Sequence, residues 1–109
     1  MVVGVAQVLL RIPNNHSLKG KRSIIRQIVE RLKRQFNISI AEVESQDRWQ
    51  LIHLGVSQVG IKADAVQASL NKILDFIEGM GLVEIVDMEL EIIHFSTKRT
   101  FYGKLCSCF

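Results

Sequence analysis

Cysteine is nearly missing from this chain: Cys106 and Cys108 are the only two, placed two apart near the end of 109 residues. At that spacing they cannot cross-link distant parts of a fold. A hydrophobic core must hold it, and a reducing cytoplasm is the expected compartment. No apolar run approaches the length of a membrane span, which excludes a helical membrane protein. The opening MVVGVAQVLLRI lacks a basic leader and a small-residue cleavage site, so it reads as a strand rather than a signal peptide. Phosphate-cradling glycine loops are absent: Gly55, Gly60, Gly79 and Gly81 fall in a strand or in turns. His16, His53 and His94 stand far apart, none at metal-ligand spacing with a cysteine or a second histidine. Together these absences argue against an enzyme and predict no cofactor and no metal site.

Acids are also scarce over the first third. Residues 1–36 carry eight Lys and Arg against Glu30 alone, a net +7, whereas residues 37–109 carry six basic and ten acidic residues, a net −4. The chain is therefore dipolar and can offer a cationic face to an anion. Its length fits one domain, and 48% hydrophobic residues can fill one core.

Periodicity supplies the elements. Val2–Ile12 is apolar on both faces, as a central strand would be. PNNHS supplies turn chemistry, with Ser17 as a helix N-cap. From Leu18 to Phe36, Leu18, Ile25, Ile28, Val29, Leu32 and Phe36 form a helical stripe about 100° wide. Ile38–Glu44 follows as a strand, with a bulge or a twist expected near Ile40. After the turn SQDR, Trp49–Val59 reads as a third strand. A second helix has Asp64 and Gln67 at capping-box spacing and buries Val66, Leu70, Ile73, Leu74 and Ile77. GMG stops it, and Leu82–Ile93 alternates as the last strand. The order βαββαβ predicts an α+β, ferredoxin-like fold over residues 1–95. Two helices would cover one face of a four-stranded antiparallel sheet, with the first and third strands central. Residues 96–109 read as a flexible tail.

GVAQVLLRIP, HSLKGKRSIIRQIVERLKRQFN and SIAEVESQDRWQLIHLGV are the stretches on which the chain resembles the YlxP-like family of small bacterial proteins, a family of unknown function. The resemblance runs from Val3 to about Ile93. It implies a ferredoxin-like fold and a cytoplasmic bacterial protein. Genes of this family often sit beside those of transcription and translation factors. No catalytic residue carries over, because the family has none assigned. Gly20, where a better helix former is expected, and the tail after Phe95 depart from the pattern.

Two surfaces stand out as candidate sites. The first helix carries Lys19, Lys21, Arg22, Arg26, Lys33 and Arg34, the candidate nucleic-acid contacts. Lys19, Arg22, Arg26 and Lys33 fall within about 60° of one another on a helical wheel. Cations in the first turns sit where a helix prefers acids, so they call for an external or tertiary partner. The plainer alternative is a solvated face neutralised by Glu42, Glu44 or Asp47. The second surface is the sheet face turned away from the helices, where Val3, Val5, Leu9, Trp49 and Leu51 form an apolar patch. Val8, Leu10, Ile52, Leu54, Val56, Met88, Leu90 and Ile92 would face the helices instead. With Trp49 as its one aromatic, that open face lacks the stacking set of RNA-recognition sheets, which points it toward a homodimer or a protein partner.

Two functional classes follow. In one, the protein is an RNA- or ribosome-associated accessory factor that binds phosphate through its first helix. In the other, it is an interaction or dimerisation module and the basic helix is incidental. Lys98, Arg99 and Lys104 add positive charge to the tail, and the two thiols of Cys106 and Cys108 do not by themselves complete a metal site.

Overall fold

A computed structural model describes residues 1–44 and 48–96. Six elements follow one another: β1 (Val2–Arg11), α1 (Leu18–Gln35), β2 (Ser39–Glu44), β3 (Leu51–Gly60), α2 (Ala63–Gly79) and β4 (Glu84–His94). The strands form one antiparallel sheet in the order β2-β3-β1-β4, the ferredoxin-like arrangement with β1 and β3 central. Expectations for Asp47 and for Lys98, Arg99, Lys104, Cys106 and Cys108 concern positions outside the described residues.

The period-two pattern of the central strands decides which face is covered. Ala6, Val8 and Leu10 of β1 and Ile52, Leu54 and Val56 of β3 are buried beneath the helices. Met88, Leu90 and Ile92 pair with Val8, Ala6 and Gly4, so β4 keeps the expected phase there. Above them α2 lays down Val66, Leu70, Ile73 and Ile77, and α1 lays down Ile28 and Leu32. Removing this much apolar surface from water is the main stabilising term. An edge-to-face contact of Phe36 with Phe76, ring centroids 6.1 Å apart, joins the C-terminal end of α1 to α2. Val66 sits so close to Gly4 and Gly60 that a Cβ at either position would collide with it. Those two glycines let α2 approach the sheet.

Several details differ from expectation, beginning with β3 and β4, which start at Leu51 and Glu84, each two residues later than expected. The bulge in β2 lies beyond Ile40: pairing passes from Glu42↔Leu54 to Glu44↔His53, leaving Val43 as the extra residue, over Gly55. A second bulge interrupts β4, where pairing passes from Leu9↔Asp87 to Leu10↔Ile85, so alternation is not continuous and Val86 is exposed. α2 differs too, starting two residues before the place an Asp64 cap would give. Lys62 holds the N-cap position without a side-chain hydrogen bond, and Asp64 lies inside the first turn. Gly81 at φ +71° ends that helix region, a conformation glycine adopts without strain.

The start of α1 follows the sequence more closely. Ser17 caps it, its Oγ accepting from the Gly20 N–H at 3.0 Å. Asn15 Nδ2 donates to the carbonyls of Ser17 and Trp49, tying the turn to the approach of β3. A Cβ on Gly20 would press into the Asn15 side chain. The glycine that departs from good helix chemistry therefore makes room for this tie.

Candidate nucleic-acid interface

Along α1 the cations divide. Lys19, Arg22, Arg26, Lys33 and Arg34 are exposed. Among the described residues none of them makes an ion pair or a side-chain hydrogen bond. Glu30, the one acid on the helix, is exposed and leaves them unneutralised. From Lys19 to Lys33 the row runs about 21 Å along the helix axis. Lys33 and Arg34 occupy the last turn, where the negative end of the helix dipole favours cations locally. Lys19 and Arg22 have no such local reason, and the first turn contains no acid.

Lys21 leaves this set. Its side chain is only 2% exposed, and its Nζ lies 3.0 Å from Glu42 Oε2 on β2. The cause is angular. At 100° per residue Lys21 falls inside the apolar stripe, between the directions of Ile28 and Leu32. That wheel position was available in the sequence and marks Lys21 as inward-facing. The opposing carboxylate was among the acids considered, so one cation of the helix is indeed neutralised from β2.

On the open face, cross-strand register sets side chains in rows. Val59, Val3 and Ile93 form the first; Ser57, Val5 and Glu91 the second. Gly55, Gln7 and Glu89 form the third, and His53, Leu9 and Asp87 the fourth. Polar contacts hold the middle of the face. His53 Nε2 lies 3.0 Å from Gln7 Oε1, and His53 Nδ1 lies 3.7 Å from Glu44 Oε2. Near the far end, Arg11 Nε and Nη2 both donate to Glu84 Oε2, at 3.0 and 2.6 Å, in an exposed pair.

The five expected interface residues do not make one continuous patch. Val3, Val5, Leu9 and Leu51 are half-buried and separated by Gln7 and Arg11. Trp49, 52% exposed, lies in the bend before β3 and not in the sheet. Exposed apolar area gathers instead at the opposite end, on Met1, Val59, Ile61, Ile93 and Phe95. Sequence reading missed this because residues 1, 59 and 93 become neighbours only through strand register.

Among the described residues the histidines do not gather at one place. His53 and His94 lie toward opposite ends of the sheet and point to opposite faces, and His16 precedes α1. Among the described residues, no three or more His, Cys, Asp or Glu are grouped to hold a metal ion. No described helix is long and apolar enough to cross a membrane.

The family described as "Protein of unknown function (DUF503)" matches residues 3–90. "Uncharacterized protein YlxP" of Bacillus subtilis (strain 168) is 31% identical over 83 residues, covering 76% of this chain and 90% of that protein. Among solved structures, the de novo designed protein Foldit4 is similar at a TM-score of 0.51 and 15% identity, over 88% of this chain and 100% of that one. A dimeric ferredoxin-like protein from an uncultured marine organism is similar at a TM-score of 0.44 and 7% identity, over 89% of this chain and 100% of that one. These structural likenesses concern the fold alone.

Proposed function

This chain belongs to the DUF503 family, whose function is unknown, and we propose that it is a non-enzymatic accessory protein that contacts the phosphate backbone of RNA, free or within the ribosome. The contact surface is the outer flank of α1: Lys19, Arg22 and Arg26 at its core, extended by Lys33 and Arg34. One observation carries the reading. Exposed cations without partners among the described residues line the N-terminal half of the helix, and one of them, Lys19, stands in the first turn, where the helix's own field disfavours it. Phosphate oxygens would offset that repulsion and would displace counterions on binding. No aromatic side chain lies in the exposed part of this flank to stack on bases, so the contacts position RNA without reading its sequence.

A titration of RNA binding at several salt concentrations tests the proposal, comparing the natural chain with Arg22→Glu/Arg26→Glu. Both side chains are exposed, so the variant keeps its fold. Its affinity falls, and the slope of log K against log salt flattens by about one contact per residue removed. Unrelated RNA sequences of equal length bind alike. An unchanged affinity and slope would return the flank to a solvated helix face.

A further inference from the structure

The geometry points to a second binding surface: the open sheet face, at the end where β1 begins, docks a second copy of this chain. Val59, Val3 and Ile93 lie side by side across β3, β1 and β4. Met1 and Phe95 extend the row, joined by Phe95 N–H donating to the Met1 carbonyl at 2.9 Å. Val59 is 66% exposed, Phe95 53%, and Ile61, two residues beyond Val59, 89%. Together these six residues expose apolar surface on the order of a few hundred Å², the size at which an exposed patch marks an interaction site.

The charges around the patch set how far a partner can reach. Immediately beyond it, Glu91, Glu89 and Asp87 follow one another along the same face of β4, and among the described residues none has a cationic partner. Complete face-to-face stacking of two sheets would take these carboxylates out of water without pairing them, which is strongly unfavourable. Overlap confined to the apolar end avoids that. A two-fold axis running across the strands there brings each patch onto its own copy, while the acidic stretches extend in opposite directions into water. The Met1 ammonium, which donates to the Phe95 carbonyl at 3.3 Å, and the Glu91 carboxylate flank the patch with opposite signs, so its rim is not of one charge. Two such patches remove about 1,000 Å² from water in total, near the lower limit for a specific interface. The dimer is therefore weak and concentration-dependent.

Sedimentation of the nuclease-treated full chain, from about 1 µM to about 1 mM, tests this. The natural protein shifts from monomer to dimer within that range, and the shift persists at high salt because apolar contact is not screened. Val59→Lys/Ile61→Lys, with unfolding checked by circular dichroism, loses the dimer across the range. Glu89→Lys, outside the overlap, keeps the natural midpoint. A monomer at every concentration would overturn the inference, as would a double variant that dimerises like the natural chain. A Glu89→Lys midpoint shifted tenfold would overturn the end-only overlap.

Discussion

The two helices dock on the same sheet by different means. α2 presents Val66, Leu70, Ile73 and Ile77, an uninterrupted apolar stripe, and reaches the sheet over Gly4 and Gly60. α1 presents Ile28 and Leu32 in its second half, but in its first half the buried position is Lys21, facing Glu42 on β2. One helix is held by shape and burial throughout. The other adds an ion pair across its N-terminal half, close to the edge strand. The difference matters for function because it divides the α1 cations into one that serves the fold, Lys21, and six that face water, Arg31 among them.

The largest expected effects come from what the helices share. Leu32→Ala on α1 and Leu70→Ala on α2 should each destabilise by roughly 2–5 kcal/mol in denaturant unfolding, as Leu54→Ala on β3 should, because each leaves a cavity in one core. A near-neutral result on α1 alone would mean that this helix is docked chiefly by charge.

The next test separates the helices. Glu42→Gln removes the carboxylate facing a buried ammonium and should cost toward the lower end of roughly 3–5 kcal/mol, since Glu42 keeps some contact with water. Lys21→Met, of similar length and apolar, should be close to neutral or stabilising. If the two cost the same, the pair stabilises the fold beyond what apolar packing would. In neither variant should RNA affinity fall, whereas Arg22→Glu/Arg26→Glu should lower it.

The smallest effects lie at the helix starts. Ser17→Ala loses the bond to Gly20 N–H and should cost about 1 kcal/mol. Asp64→Ala on α2 loses only a favourable charge in the first turn, roughly 0.3–1 kcal/mol, and that loss should shrink in high salt. Equal, salt-independent costs would indicate that Asp64 caps α2 after all.

The same contrast runs through what could be read in advance. The α2 stripe and the inward residues of β1 and β3 followed from spacing alone, because a side chain's direction about its own helix or strand depends only on its position in the repeat. Ser17 was legible because its hydroxyl reaches a donor three residues away. Asp64 misled for a related reason: a capping-box spacing can fit a register one or two residues from the true start, and the chain enters α2 through extended Lys62. The bulges at Val43 and Val86 were not legible where they occur, since an extra residue is defined only against the strand it pairs with.

By itself, then, the sequence determined the order βαββαβ, the phase of the covered sheet face, the stripes of both helices and the excess of cations on the first. All are local properties of a repeating backbone. Tertiary structure alone decided which acid meets Lys21, that the Asn15 side chain beside Gly20 is tied to Trp49, and where the uncovered apolar surface collects. Met1, Val59 and Phe95 are distant in sequence and share one end of the sheet only because two antiparallel ladders on β1 set them in register. Spacing along a chain measures direction about an axis. It does not measure which neighbour arrives there.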